Sequence, residues 1–303
     1  MTQTEKQKMM LTAPVEGLIC RMAVPTIISM LITALYNMAD TYFVGKLGSN
    51  AATGAVGVAL PLMAIIQATG FFFGHGSGNS ISRHLGAGDV EDAETLAVCG
   101  FAGAIGAGLI ICVLGQLLIE PLARLLGSTA TILPYAKEYM RYILFAAPYM
   151  TAALVLNNQL RLQGNANFAM VGITSGAVLN VALDPLFIFT FNMGVAGAAA
   201  ATALSQLVSF VILLWALRRA GCVPLRFRYV RCMPSVIGQI FGGGLPSLVR
   251  QGLFFIPTVI LLPLPLGLLG VQISQSISDL LAFSLAVYMY KKYEPRMWEM
   301  YKV

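Results

Sequence analysis

The sequence predicts an all-α, polytopic bundle of transmembrane helices, and three observations support this fold class. Of the 303 residues, 57% are hydrophobic and 11% are charged, whereas about a quarter of the residues in an average soluble domain are charged. The mean hydropathy is +0.77. The apolar residues fall in runs of about 20, which is the length that a helix needs to cross a hydrocarbon layer about 30 Å thick. The bilayer is therefore the predicted solvent of most of the chain.

Eight spans are predicted, and short polar or glycine-rich connections separate most of them. Six spans form one lobe, and about two further helices follow it. The predicted spans are 18–44, 51–73, 95–118, 133–157, 166–190, 195–217, 247–263 and 271–290. The predicted organisation is a polar tail (1–17), a six-helix lobe (18–217), a basic connection (218–246), two more transmembrane helices (247–290) and a second tail (291–303).

The distribution of Lys and Arg predicts the orientation. Most of the 19 basic residues lie in the tails and in alternate connections on one side, and such residues concentrate on the cytoplasmic side. We therefore expect a multi-pass protein of the cell membrane with both termini in the cytoplasm. The segment CVPLRFRYVRCMP, from 222 to 234, is predicted to form a helix at the lipid surface. The net charge of +6 does not predict a nucleic-acid partner, because the basic residues do not form one continuous face.

Other residue patterns argue against an enzyme, a cofactor or a bound metal. The five cysteines are odd in number and scattered, so they predict neither a disulfide framework nor a metal cluster. His75 and His84 have no His, Cys or acid at ligand spacing. The glycine-rich stretch 74–89 lacks the Gly-Lys-Ser/Thr ending of a phosphate-binding loop. No arrangement of nucleophile and base is visible, and any energy that the protein uses is expected to come from an ion gradient or from a partner.

Three acids inside the predicted spans are candidate functional residues, because an acid in hydrocarbon costs several kcal/mol unless it is paired, hydrated or protonated. Asp40 lies toward the outer end of the first span, and Tyr36 precedes it by one helical turn on the same face. Contact with interfacial water is the alternative for Asp40. Asp279 lies within SQSISDLLAF, where hydrogen bonds to serine neighbours and a structural role are at least as well supported.

Asp184 carries the strongest functional signal. Asn180 lies four residues earlier and therefore beside it on the helix. Pro185 removes one backbone hydrogen bond and frees the carbonyl group of Val181. Carboxylate, amide and carbonyl oxygens suit a small hard cation such as sodium, and a buried carboxyl group can also bind and release a proton near physiological pH. These residues alone leave both chemistries open.

Further polar residues could reach the same region. Thr202 and Gln206 share one stripe of a run of small residues, 194–206, that otherwise predicts close helix packing. Tyr139, Asn157 and Asn158 lie on the fourth span, where aromatic and amide groups could line an amphipathic cavity.

Five ordered motifs resemble the multidrug and toxic compound extrusion (MATE) family, especially its bacterial branches. The motifs are LYNMADTYFVGKLG, SRHLGAGD, RLQGNANFAM, LNVALDPLFIF and GVAGAAAATALSQ. The resemblance covers residues 17 to about 252 and implies antiport of amphipathic, often cationic compounds, coupled to a proton or sodium, through two six-helix lobes. It implies that the ion-coupling residues are Asp40, Asn180, Asp184 and Thr202. It implies, more loosely, that the substrate-binding residues are Tyr36, Tyr139 and Asn157.

The chain has fewer predicted spans than the family's two lobes require. GGLPSLVRQG at 243–252 resembles the start of the family's seventh span, whereas the stretch from 250 onward resembles its eleventh and twelfth. The two resemblances share RQG at 250–252, and we interpret this as the loss of most of the second lobe by an in-frame deletion or mis-assembly at that repeat.

Three functions therefore remain open. The first is an active exporter whose partners are the lipid bilayer and small amphipathic molecules. The second is a non-transporting remnant that associates with itself or with an intact relative. The third is a flippase for lipid-linked precursors, against which the polar surroundings predicted for Asp184 argue.

Overall fold

The computed structural model describes residues 15–226, 234–266, 270, 273–274, 276–285 and 287–288. The described residues form helices joined by turns and short links, and they contain no strand. The prediction of an all-α helix bundle is confirmed. The predicted tails fall outside the described residues, apart from 15–17, and so does 227–233 of the basic connection.

Six helices of the first lobe are long and apolar enough to cross a membrane. Most of their bounds agree with the predicted spans, but the second helix extends well beyond the predicted end at 73. The six helices are α1 (Val15–Gly45), α2 (Asn50–Ala87), α3 (Val90–Leu117), α5 (Leu133–Leu162), α6 (Ala166–Pro185) with a π-helical continuation (Leu186–Thr190), and α7 (Gly194–Arg219). A short helix, α4 (Ile119–Leu125), lies between α3 and α5.

Shorter helical segments follow the lobe. They are α8 (Pro234–Val249), a π-helix (Arg250–Phe255), α9 (Ile256–Leu261), α10 (Pro263–Leu266) and α11 (Ser276–Leu285). The predicted span 247–263 is helical but changes between π and α geometry, and the predicted span 271–290 is described only in part. Two compact units divide the chain between Leu245 and Pro246, and the assignment of the second unit to a partial second lobe stays a prediction.

The link after α7 differs from the prediction of a surface helix. Its described part, Cys222–Arg226, is not helical. The backbone N–H of Val223 donates to Oε1 of Gln163 at 2.9 Å, and Nδ2 of Asn165 lies 2.9 Å from Sγ of Cys222. These contacts bind the link to the turn after α5, and Pro224 cannot supply a helical N–H.

Small residues determine how closely α2 and α5 pack. Gly70, Gly74 and Gly78 recur every fourth residue on α2, and a Cβ atom added at any of them would collide with a side chain of α5. This close packing explains why α2 remains helical through the glycine-rich stretch after 73, since helix association in membranes depends on van der Waals contact rather than on the hydrophobic effect.

Hydrogen bonds between helices supplement this packing at α5, the most deeply buried of the six helices. Nε2 of Gln159 donates to Oγ of Ser77 on α2 at 3.0 Å and to the carbonyl group of Ala97 on α3 at 3.1 Å. Oγ1 of Thr151 donates to the carbonyl group of Ala104 at 2.9 Å. The polar side chains along α5 thereby hold α2 and α3 in place.

Candidate functional site

Asp184 lies at the end of α6 and is fully buried. The α-helix stops at Pro185, and the chain continues as the π-helix Leu186–Thr190. Proline cannot supply the N–H that the regular helix requires, and π-helical turns accommodate such interruptions. The sequence prediction of an irregular helix beside this acid is confirmed.

Asn180 links Asp184 to the neighbouring helix. Its Nδ2 atom lies 3.3 Å from Oδ1 of Asp184 and 3.3 Å from Oγ1 of Thr202 on α7. All three side chains are buried. Three of the four predicted ion-coupling residues thus form one hydrogen-bonded group across α6 and α7.

Asp40 approaches the same group from α1, which packs against α6. Its side chain is buried rather than open to interfacial water, and its charge acts electrostatically on Asp184. Tyr36, one turn earlier on α1, is a hydrogen-bond partner of Gln206 on α7 and lies within the electrostatic reach of both acids. Helices α1, α6 and α7 therefore bring the four predicted ion-coupling residues into one region, the acid cluster (Asp40, Asn180, Asp184 and Thr202).

The acid cluster contains more acceptors than donors. Oδ1 of Asp40, Oδ1 of Asn180 and Oδ2 of Asp184 are buried and have no hydrogen-bond partner among the residues that the structure describes. Buried polar atoms in folded proteins are nearly always paired, and two nearby carboxylates repel each other. A small cation could be coordinated by these oxygens, and protonation of one carboxylate would remove the repulsion between the two acids.

The predicted substrate-binding residues do not all lie at this site. Tyr139 on α5 is buried and lies within the electrostatic reach of Asp40, Tyr36 and Asp184. Asn157 follows five helical turns later on α5, about 27 Å along the helix axis. Its Nδ2 atom donates to the carbonyl group of Ala169 at 3.1 Å, so Asn157 holds α5 against α6 and is not brought to the acid cluster.

Asp279, the third acid predicted inside a span, lies in the second unit. Its Oδ1 atom accepts a hydrogen bond from Nη1 of Arg250 at 2.8 Å, and its side chain is half exposed. Its structural role as a paired acid agrees with the alternative that the sequence supported, but an arginine rather than serine neighbours alone engages it.

The prediction that His84 lacks an acid at ligand spacing is wrong. Its Nδ1 atom lies 3.3 Å from Oδ2 of Asp89 and 3.9 Å from Oδ2 of Asp92, because the tight turn at Gly88 folds the start of α3 back onto the end of α2. The three side chains could in principle hold a metal ion. Asp89 is already engaged as the N-cap of α3, and hydrogen bonds from the backbone of Asp92 and from His84 lower its pKa.

The sequence analysis did not predict a second set of polar contacts, which lies at the end of α5. Arg161, at the end of α5, donates from Nη2 to Oδ1 of Asn158 at 2.8 Å and lies 3.3 Å from Nε2 of His75 on α2. His75 stacks on Phe71, with ring centroids 5.4 Å apart. The available signal was the Arg161 side chain at the end of an apolar span, although nothing local in the sequence indicates its histidine partner.

This architecture is similar to that of known membrane transport proteins. The MatE family model matches residues 25–186, which is more than half of the chain. The multidrug export protein MepA of Staphylococcus saprophyticus is 30% identical over 240 residues, which make up 79% of this chain and 53% of that protein. The chain thus spans about half the length of the curated relatives it matches.

Solved structures show the same similarity. A MOP superfamily transporter from Pyrococcus furiosus is 32% identical with a TM-score of 0.78, and the match covers 88% of this chain and 60% of that chain. A MATE transporter in the straight conformation is 31% identical with a TM-score of 0.79, and the match covers 88% and 61%. The six-helix lobe is therefore MATE-like, and the chain belongs to the multidrug and toxic compound extrusion family.

Proposed function

We propose that this chain acts in cation-coupled antiport, exporting amphipathic, cationic compounds across the cell membrane in exchange for a proton or sodium. The observation that carries the proposal is the acid cluster, in which three buried acceptor oxygens have no partner among the described residues. The multidrug export activity named for MepA supports the transport class. The predicted orientation, with both termini in the cytoplasm, completes the proposal.

The coupling step is occupation of the acid cluster. Asp184 and Asp40 are buried like charges, so binding a cation to one carboxylate lowers the energy of the other. Asn180 holds Oδ1 of Asp184 and Oγ1 of Thr202 in place and leaves its own oxygen available as a ligand. Binding of a proton or cation changes the electrostatic interactions between α1, α6 and α7. The helix break at Pro185 gives α6 a point at which it can bend in response.

Tyr36 and Tyr139 connect the acid cluster to the exported compound. Aromatic rings attract cations through their faces, and both phenol groups lie within electrostatic reach of the two acids. A cationic substrate near these rings competes electrostatically with the coupling cation. Such competition is the basis of exchange between the two.

A transport cavity between two lobes requires a second lobe, and the chain spans 53% of its curated relative. We propose that a second copy of this chain, or an intact relative, supplies the missing surface in an active assembly. The alternative is a non-transporting remnant, which the same coverage favours. Long-read sequencing of the source locus tests the proposed deletion at 250–252, because an uninterrupted longer reading frame would refute it.

Efflux in cells that express this chain tests the function. Dye or organic-cation export is measured with a proton gradient, with a sodium gradient and with neither, and export that depends on one gradient identifies the coupling ion. Cells that express an Asp184→Asn variant at an equal level in the membrane serve as the control. Export equal to that of cells without the protein under every gradient would support the remnant.

A further inference from the structure

Arg161 is a partly buried cation at the end of α5. Its polar partners are Oδ1 of Asn158 at 2.8 Å and Nε2 of His75 at 3.3 Å, and neither is a carboxylate. Within the described part of the chain, no carboxylate lies within ion-pair distance of its guanidinium group. A guanidinium group has five N–H donors, so these two partners leave donors available for an anion.

A second arginine follows on the adjacent face of α2. His75, Asn79 and Arg83 recur every fourth residue and therefore follow one stripe of the helix. Arg83 likewise has no carboxylate within ion-pair distance among the described residues. The stripe thus offers cationic and neutral donors in succession, beginning at the histidine that contacts Arg161.

A half-open cleft of about 360 Å³ lies beside this stripe, between α2 and α8. Its lining residues are Asn79, Ser80, Arg83, His84, Gln239, Gly242 and Gly243. The two helices approach each other closely at Gly76, where an added Cβ atom would collide with the carbonyl oxygen of Ile240. The glycines that permit this approach leave no side chain to fill the cleft.

The cleft lies where the helices leave the hydrocarbon layer. Arg83 is the first Asp, Glu, Lys or Arg residue of α2, and such residues mark the membrane interface. On α8, Ile237, Phe241 and Leu245 are spaced every fourth residue and are exposed by 44%, 53% and 51%. The cleft lined by Arg83 therefore adjoins an apolar stripe that leads from the basic connection into the membrane, and the carboxylates of Asp89 and Asp92 lie on its far side, against His84.

We propose that this cleft binds an anionic phospholipid, whose phosphate group is held by Arg83 with Asn79 as a neutral donor. Arg161 does not line the cleft and attracts the head group from the far end of the stripe, beside His75. The guanidinium fork matches phosphate oxygens, and basic pockets between transmembrane helices recognise anionic head groups. The acyl chains lie along Ile237, Phe241 and Leu245. The site is separate from the acid cluster. Asp40 and Asp184 lie near the C-terminal ends of α1 and α6, whereas Arg83 lies near the C-terminal end of α2, which crosses the membrane in the opposite direction.

Lipid retention by the purified 303-residue chain tests the proposal. The protein is exchanged into detergent containing phosphatidylglycerol or phosphatidylcholine, and bound lipid is counted by native mass spectrometry. We expect phosphatidylglycerol to be retained preferentially. The Arg83→Gln variant should weaken its binding roughly tenfold or more, because it removes a charge-assisted hydrogen bond, and Arg161→Gln should weaken it less because Arg161 lies outside the cleft.

Arg141→Gln is the matched control, because Arg141 lies on α5 near the opposite end and is exposed; it should retain the lipid as the unmodified chain does. Arg83 is also exposed, so its variant tests the site even if Arg161→Gln fails to fold. Equal retention of both lipids, or undiminished retention by the Arg83→Gln variant, overturns the proposal. Displacement of the lipid by an equal concentration of inorganic phosphate also overturns it, since the site would then bind free phosphate.

Discussion

Asp184 and Asp279 are both acids in apolar helical segments, but they differ in burial and in the charge of the groups beside them. Asp184 is fully buried, accepts one hydrogen bond from the amide group of Asn180, and has a neighbouring acid rather than a cation. Asp279 is half exposed and forms an ion pair with Arg250 at 2.8 Å. Among the described residues, Asp279 has a counter-charge and Asp184 has none, which is why we propose that Asp184 binds a proton or cation from outside.

The comparison shows that an acid in an apolar segment indicates a function only after its partners are known. The free energy cost of burying a carboxylate falls when an arginine neutralises it. Asp279 is therefore assigned a structural role, whereas Asp184 is proposed to depend on an exchangeable ion. The following predictions test this difference, from the largest expected effect to the smallest.

The largest effect is expected from Asp184→Asn compared with Asp279→Asn. Asparagine has nearly the same shape but cannot take up a proton or neutralise a bound cation, so Asp184→Asn should abolish gradient-driven export while membrane insertion is retained. Asp279→Asn should keep most of the export. The measurement is the initial rate of dye efflux, normalised to the amount of inserted protein. Unchanged efflux by the Asp184→Asn variant would reject its coupling role.

A variant that disturbs helix packing shows how much stability is lost when the fold alone is affected. A Cβ atom at Gly108 on α3 would lie 2.6 Å from Cα of Pro148 and 2.9 Å from the carbonyl oxygen of Ala147, both backbone atoms of α5. Gly108→Ala should lower the free energy of unfolding by about 1–3 kcal/mol. Gly106→Ala, whose Cβ atom would have no neighbour within 4 Å, should be neutral or slightly stabilising.

Thermal unfolding in detergent compares the two glycine variants. Equal midpoints for Gly108→Ala and Gly106→Ala would contradict the close approach of α3 and α5. The Asp184→Asn variant is then measured in the same way. We expect its midpoint to stay close to that of the unmodified chain, which separates the loss of coupling from a loss of fold.

A smaller effect is expected from Thr202→Val, which removes the hydroxyl group that accepts from Asn180 but preserves the side-chain shape. The amide group loses one of its two anchors, so the cation concentration for half-maximal efflux should rise roughly two- to tenfold. Ser209→Ala is the control, since Oγ of Ser209 donates to the carbonyl group of Gly172 outside the acid cluster. An equal shift in both variants would show that the effect arises from packing between α6 and α7.

The smallest effect is expected at Glu120, a surface acid that is paired as Asp279 is. Hydrogen bonds from Lys137 and then Arg124, at 2.9 and 3.0 Å, lower the pKa of Glu120. A lowered pKa stabilises the folded state above the unfolded-state pKa, and this contribution is lost as the pH falls through the folded-state pKa.

Glu120→Gln should therefore lower the unfolding midpoint slightly at neutral pH and low salt, and less at high salt because exposed ion pairs are screened. At acidic pH the variant and the unmodified chain should converge. A difference that persists in acid would assign the effect to something other than this ion pair.

The sequence predicted those parts of the site that depend on one helix. The spacing of Asn180 and Asp184 placed their side chains together, and Pro185 predicted the irregular turn that follows. The spacing of Tyr36 and Asp40 likewise predicted that these two side chains share one face of α1. Side chains four residues apart are neighbours on any α-helix, so these predictions needed no knowledge of helix packing.

Contacts between residues far apart in the sequence were harder to predict. Nothing local indicated that Arg161 reaches His75, or that the turn at Gly88 brings Asp89 to His84. The family resemblance implied that Asn157 binds substrate, and its residue type suits a polar cavity; the structure shows that its amide group donates to the backbone of Ala169, and substrate binding by Asn157 stays a prediction. Residue type gives hydrogen-bonding capacity, and only packing shows where that capacity is used.

By itself, the sequence determined the membrane class, the six apolar helices of the lobe and the polar neighbours on α1, α6 and α7, because hydropathy and helical periodicity are local properties of the chain. The tertiary structure decided which polar groups have partners within the protein. Among the described residues, Asp279 has an arginine within ion-pair distance and Asp184 has none, and Arg250 is too far from Asp279 in sequence for a local pattern to indicate the pair. The difference follows from which helices lie side by side, since burial and counter-charge depend on the neighbours that packing provides.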